Sequence, residues 1–346
     1  MQTTEVQHSE HVIAELLEVL IAANTQNMRL AEVEGDALFF YKEGEIPSQE
    51  KLLAQVESMY AAFYSHLKMM ETNRICPCRA CAAAPDLQLK IVLHCAELQF
   101  ITVQGNRKPF GEAVIQAHRL LKNSIDNDNY VLLSNDLADE IGLSLQYESM
   151  LFRFRESQET YDGVQVSFLY AEIDASKLKL YGFEPPETVL TNRPPNFSME
   201  RQFSIDTYEL FELITNYRYR HLWVDGVDEF VFNENEVTRA GTEHVCVING
   251  KHLNFTTVVK DVPVHQLVYG ELTTDPPPVE KLYQFYIIEP IDETTCHLRV
   301  EQYWVTKNLF QKLLMAFIGK RQFIKGIASA MDNLERYLQQ QNLTTS

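Results

Sequence analysis

The feature that most constrains this 346-residue chain is a change of rhythm across a proline-rich break at residues 180–196. Pro185-Pro186 and Pro194-Pro195 fall there. Paired prolines stiffen a chain and end regular structure, so the break reads as a linker. Before it, helical periodicities alternate with short apolar runs; after it, strand-like runs recur at about ten-residue spacing. At ~150 residues per domain the length also suggests two domains. The expected division is residues 1–175, a linker at 176–196, and residues 197–342.

In the first half, Val12, Ile13, Leu16, Leu17, Leu20 and Ile21 recur at helical spacing. Runs 28–33 and 37–41 flank the turn-like Glu34-Gly35-Asp36, predicting two strands joined tightly. A second helix opens at Pro47-Ser48, with Leu52, Leu53, Val56, Met59, Tyr60, Phe63 and Leu67 on one face. Runs 87–93, 98–103, 130–133 and 164–170 read as strands, and a helix follows Gly111. The mixture predicts an α/β or α+β sandwich. In the second half, 197–204 reads as a strand and 207–215 as a short helix. Runs 228–233, 243–249, 253–260, 265–272, 281–288 and 295–304 then predict an antiparallel meander. A final helix at 307–340 carries a stripe running from Leu309, Phe310, Leu313, Leu314, Phe317 and Ile318 through Ile324, Ile327, Met331, Leu334 and Leu338. So wide a stripe is expected to pack on the sheet.

With 30 Lys+Arg against 48 Asp+Glu the net charge is −18, and no basic cluster offsets it. Such a surface repels phosphate backbones and anionic lipid, so neither nucleic acid nor membrane is an expected partner. No apolar run reaches the ~18 residues a membrane span needs. The opening MQTTEVQHSEH has neither the basic start nor the apolar core of a secretion signal, which points to the cytoplasm. Six cysteines are too sparse for a disulfide scaffold, and three crowd into residues 76–81. Cys76, Cys78 and Cys81 offer three of the four donors that tetrahedral Zn²⁺ takes, with His66 or Cys95 as the expected fourth. Packing of small apolar thiols under a loop and a redox-sensitive cluster are the alternatives.

Glu34-Gly35-Asp36-Ala37-Leu38-Phe39-Phe40 resembles the hairpin of class III nucleotide cyclases, where Gly-Asp supplies a metal carboxylate. Further matches follow in order: Leu89-Lys90-Ile91-Val92-Leu93-His94, the helix from Gly111 to Arg119 and Leu120, and Tyr161-Asp162-Gly163-Val164 with the strand after it. The likeness covers about residues 9–172 and implies a ferredoxin-like, cyclase-like α/β sandwich that pairs as a homodimer. More closely, the stretch with its Cys-x-Cys-x-x-Cys insert resembles an uncharacterised bacterial family of cyclase-like domains. Two-metal cyclase chemistry needs two carboxylates. One belongs to a strand ahead of the first helix, which this sequence lacks, so only Asp36 matches. Ile115 stands where the family has Asn, Glu32 where it has a purine-selecting Lys, and Lys108 where it has Asp. Arg119 matches the transition-state arginine. Asp36 and Arg119 are therefore read as vestigial positions. Hairpin turn, exposed helix residue and core histidine are the plainer readings of Asp36, Arg119 and His94.

Residues 197–341 resemble the START-like, or SRPBCC, helix-grip superfamily: strand, short helix, Arg220-His221-Leu222-Trp223-Val224-Asp225-Gly226-Val227 entering a strand, meander, long helix. The resemblance implies an antiparallel sheet around the C-terminal helix and a cavity for a small hydrophobic or amphipathic molecule. Alternation along Cys296, Leu298, Val300, Gln302 and Trp304 puts Gln302 and Trp304 on an apolar face. Tyr286, Phe255 and Phe317 are further lining candidates, with a solid core as the alternative. The leading expectation is a non-catalytic α+β protein that joins an interaction or nucleotide-sensing scaffold to a ligand-binding domain. A nucleotide cyclase whose first strand lies upstream is the rival, and a lyase or cyclase of polyketide-like substrates the third.

Overall fold

The computed structural model describes residues 2–344 apart from 187, 190, 191, 249, 275 and 277; the side chains of 2–4, 318 and 342–344 are also left out. Parts of the expected linker, the end of the expected strand 243–249, and Ile318 of the expected stripe thus lie outside the described positions. The chain forms two compact units. One holds Ile13–Met69 and Ala83–Phe183; the other holds Met1–Val12, Met70–Ala82 and Glu184–Ser346. This grouping differs from the division at 175 and 197 expected from the sequence: the Cys-bearing segment groups with the C-terminal half. Sequence proximity misled here because 70–82 follows a helix of the first half without any break in pattern.

The N-terminal unit is mixed α+β. Its elements begin with the second half of α1 (Gln2–Ala22), the hairpin β1 (Arg29–Glu34) and β2 (Ala37–Tyr41) and most of α2 (Gln49–Thr72), while short α3 (Arg79–Ala83) groups with the C-terminal unit. There follow β3 (Lys90–Leu93), the hairpin β4 (Gln99–Val103) and β5 (Asn106–Phe110), α4 (Glu112–Leu121), β6 (Tyr130–Ser134), α5 (Asn135–Glu140), β7 (Arg155–Tyr161) and β8 (Val164–Glu172). Four strands form one sheet in the order β3-β6-β8-β7, with β3 and β6 parallel and the rest antiparallel. Every residue of β6 is buried, because the strand serves two cores. Val131 and Leu133 face Leu52, Val56 and Tyr60 of α2, while Tyr130 and Leu132 face Leu120 of α4. Apolar residues at every position are what burial on both faces requires.

The C-terminal unit is a seven-stranded antiparallel sheet. Its elements are β9 (Phe197–Phe203), α6 (Thr207–Thr215), β10 (Glu229–Val231), β11 (Glu243–Ile248), β12 (Lys251–Val258), β13 (Leu267–Thr274), β14 (Lys281–Pro290), β15 (Cys296–Val305), α7 (Leu309–Leu314) and α8 (Lys320–Thr344). The strand order is β10-β11-β12-β13-β14-β15-β9. The segment 220–227 leads into β10 as expected, but it begins as a 3₁₀ turn, Tyr217–Leu222, started by Asn216, whose side chain accepts from the Arg218 N–H. On the inner face, α6 and α8 bury Leu210, Ile214, Ile327, Met331 and Leu334 against Tyr269, Tyr286, Leu298 and Val300. The outer face carries Val258, Phe285, Ile287 and Tyr303, packed by Val189 and Val262. The expected final helix is interrupted by a π-helical turn at Met315–Gly319 between α7 and α8. Before and within the interruption much of its stripe is uncovered: Leu309, Phe310 and Phe317 are each more than 70% exposed.

Candidate functional site

Two clusters in the C-terminal unit concentrate its chemistry. The first lies on the inner face of the sheet, and strand register assembles it. Residues directly opposite in an antiparallel ladder share a face. One cross-strand row runs His244, Phe255, Thr273, Leu282, Trp304 across β11 to β15. The next runs Thr257, Glu271, Gln284, Gln302, and a third pairs Tyr269 with Tyr286. Four of the five lining candidates read from the sequence, Phe255, Tyr286, Gln302 and Trp304, thus fall in three adjacent rows. Phe317 does not join them; it sits exposed in the π-helical turn.

The polar residues of this face were not foreseen. Arg220 reaches in from the 3₁₀ turn, its Nη2 donating to Glu271 Oε1 at 2.5 Å and to the Tyr269 hydroxyl at 3.0 Å. Tyr269 also donates to Glu271 Oε1 at 2.7 Å, and the Tyr217 and Tyr269 hydroxyls lie 3.2 Å apart. The guanidinium lies 5.1–5.8 Å from the ring centres of Trp223, Tyr269, Tyr217 and Tyr286, a cage of aromatic faces. Burial pushes the Glu271 carboxyl up, but Arg220, His244 and the Tyr269 hydroxyl outweigh it and hold it below the usual carboxylate range. The His244 ring is sandwiched between Tyr217 at 4.1 Å and Phe255 at 5.0 Å. Burial lowers its pKa to about 4 against the pull of Glu271, so it is neutral. Four polar atoms of this face have no hydrogen-bond partner: both His244 ring nitrogens, Thr273 Oγ1 and Gln302 Oε1. Gln302 uses only its amide, donating to Gln284 Oε1 at 2.7 Å. A sequence signal existed: alternation along Tyr269, Glu271, Thr273 puts a carboxylate on the core face of β13.

The second cluster is His8, Cys76, Cys78 and Cys81, whose ligating atoms all lie within 4.8 Å of one another. Cys78 caps α3: its carbonyl accepts from Ala82 N and its Sγ from Cys81 N, so the two-residue gap folds both thiols to one side. His8 Nδ1 stands 3.4 Å from Cys76 Sγ, 3.4 Å from Cys78 Sγ and 3.6 Å from Cys81 Sγ. Its Nε2 lies 3.5 Å from Glu212 Oε2. With these groups alone, burial lowers the His8 pKa, but the Cys78 and Cys81 thiols and Glu212 carry it up to about 10. Hydrogen bonds from Cys76 and Cys81 drive the Cys78 thiol down, and the same crowding drives Cys76 up. A small cavity opens beside the cluster, lined by His8, His11, Cys76, Glu212 and Tyr217. The fourth member is thus His8, correcting the expected His66 or Cys95. His66 is engaged by Glu15 at 3.1 Å, and Cys95 packs against the core of the N-terminal unit.

In the N-terminal unit, Asp36 is an exposed residue of the β1–β2 turn after Gly35, which has a φ of 65°. Arg119 is ion-paired with Asp162. Glu32 and Lys108 pair at 3.2 Å, and His94 Nδ1 bonds the Ser134 hydroxyl at 2.9 Å. Among the described residues, the group of three or more close metal-ligating side chains is the His8 cluster, and Asp36 has no place in it.

Residues 13–130 match a family described only as a protein of unknown function, DUF2652. An uncharacterised protein of Mycobacterium tuberculosis is 31% identical over 126 residues, 36% of this chain and 58% of the relative. The chain therefore spans little more than half the length of that relative. A hypothetical protein of Helicobacter pylori is 11% identical over 46% of this chain and 98% of its own, with a TM-score of 0.36. A START superfamily protein of Mycobacterium smegmatis is 13% identical over 41% and 97%, at 0.30. The di-domain ARO/CYC BexL is 13% identical over 41% and 46%, at 0.34. Likenesses of that size carry no weight for function. No helix among the described residues is long and apolar enough to cross a membrane.

Proposed function

We propose that the C-terminal unit binds a small amphipathic molecule on the inner face of its sheet, and that the cyclase-like unit serves as a scaffold and not as a cyclase. The observation that carries this is the set of four polar atoms that make no hydrogen bond, on His244, Thr273 and Gln302, in two neighbouring cross-strand rows; His244 Nε2 stands 3.6 Å from Glu271 Oε1. Buried polar groups are nearly always paired, and each orphan costs about 1–3 kcal/mol. A ligand with an apolar body against Phe255, Leu282 and Trp304 and one donor–acceptor head would satisfy them. Arg220 and Glu271 already neutralise each other, so a neutral head is favoured over an ionised one. In the other unit Arg119 is occupied by Asp162, which supports the scaffold reading.

Native mass spectrometry of the full chain purified from its cells is expected to show one retained small molecule. A Thr273→Val, Gln302→Leu variant, close in shape but without the polar atoms, is expected to lose it while melting no lower than the parent. Parent protein that retains nothing, and that takes up no saturable 1-anilinonaphthalene-8-sulfonate, would mean that this face is simply core. Both tryptophans of the chain, Trp223 and Trp304, lie in this unit, so energy transfer to that dye reports on it directly.

A further inference from the structure

We propose that His8, Cys76, Cys78 and Cys81 hold one Zn²⁺ in a closed structural site whose fourth ligand comes from the first helix. The central observation is a counting problem. A single imidazole nitrogen offers one proton or one lone pair, so it makes one good hydrogen bond. Here three sulfurs stand 3.4, 3.4 and 3.6 Å from His8 Nδ1. A shared ion at the centre resolves this. With Zn–S of about 2.3 Å and Zn–N of about 2.0–2.1 Å, the N···S edge of a tetrahedron is about 3.6 Å. The three distances match that edge within about 0.2 Å.

The surroundings fit as well. Glu212 faces Nε2, the nitrogen opposite the ligating one, and a carboxylate there fixes the tautomer and sharpens ligand basicity. The Cys81 N–H points at Cys78 Sγ and would offset thiolate charge. The small cavity beside His8 and Cys76 gives the ion a way in. Three of the four donors are buried, Cys78 is half-buried, and no protein ligand position is left for a substrate, which distinguishes a structural site from a catalytic one. Thiolate-rich tetrahedral sets select zinc over the hard cations.

The test uses the full chain, purified under reducing conditions. Elemental analysis is expected to give about one zinc per chain. Exchange with Co²⁺ is expected to produce the ligand-field bands of a tetrahedral ion together with thiolate-to-cobalt charge transfer. Cys78→Ser should abolish both, and His8→Ala should shift the cobalt bands. Glu212→Gln, which leaves all four ligands in place, should weaken zinc about 10–100-fold in competition with a chromogenic chelator. That variant keeps the proposal testable if loss of a ligand prevents folding. A reduced chain that takes up neither metal would overturn it. So would uptake unchanged in Cys78→Ser.

Discussion

At the residue scale, His244 shows how a buried ring links the sheet interior to pH. Its folded-state pKa is depressed to about 4 by burial, against an ordinary value of 6.5. Between those values the unfolded chain binds a proton that the folded chain refuses, so stability is present above pH 6.5 and falls as the pH drops toward 4. The span of ~2.5 units caps this contribution at about 3 kcal/mol. His244→Phe preserves the stack between Tyr217 and Phe255 but cannot titrate. Urea unfolding at pH 7 and pH 4.5 is expected to show the variant losing less stability than the parent across that interval. Parallel losses would mean that the ring is solvated in the folded state. The residues that matter most here were the hardest to read from sequence. Arg220 stood out only as part of a motif, because a lone Arg gives no sign of its burial until Glu271, 51 positions away, is placed beside it. His8 carried a readable signal: it precedes Val12 and Leu16 at four-residue steps, on the buried stripe of α1. A histidine on an apolar stripe asks for a partner, but nothing local says that the partners are 68 to 73 residues away.

At the element scale, periodicity located most strands and helices within two or three residues, because alternation and helical spacing are local properties. It missed the short helices α3 and α5 and the strands β5 and β7. Asn106–Phe110 is largely polar with a Pro, and Arg155–Tyr161 is mostly exposed, so neither shows a buried face to read. It also overextended the C-terminal stripe, since spacing tells which residues share a face but not whether anything covers it. Packing detail is a further layer. Gly270 lies in β13 directly beneath Phe285, and a Cβ there would come 2.5 Å from that ring and 2.7 Å from the Val258 carbonyl. Neither neighbour can retreat, because Phe285 is fully buried and Val258 is hydrogen-bonded in the ladder. Gly270→Ala is therefore expected to cost about 1–3 kcal/mol through overpacking. A thermal melt should fall by several degrees; an unchanged melt would mean that β13 and β14 pack more loosely than described.

At the scale of the whole molecule, the two units are not consecutive stretches of chain. Residues 1–12 and 70–82 belong with the C-terminal half, so a fragment ending near 175 would strand them, and association has to be tested on the full chain. The N-terminal unit exposes several large apolar side chains. In the β4–β5 hairpin, Gln99 pairs with Phe110, Ile101 with Lys108 and Val103 with Asn106, which places Ile101, Val103 and Phe110 on one face. They are 43%, 58% and 57% exposed, and Ile115 of α4 is 52% exposed. Apolar patches of this kind mark interaction sites, and a closed two-fold pair is the commonest way to cover one. A net charge of −18 opposes the pairing. That repulsion is screened within about 8 Å at physiological salt and within about 3 Å at 1 M, whereas burial of apolar surface is not weakened by salt. Dimerisation is therefore expected to tighten as salt rises, the opposite of an interface held by ion pairs. Sedimentation equilibrium of the full chain should give a dimer mass at micromolar concentration, more completely at high salt. Val103→Glu should shift it to monomer without lowering the melting temperature. A monomer at every salt concentration, or a dimer indifferent to Val103→Glu, would remove this face as the site of association.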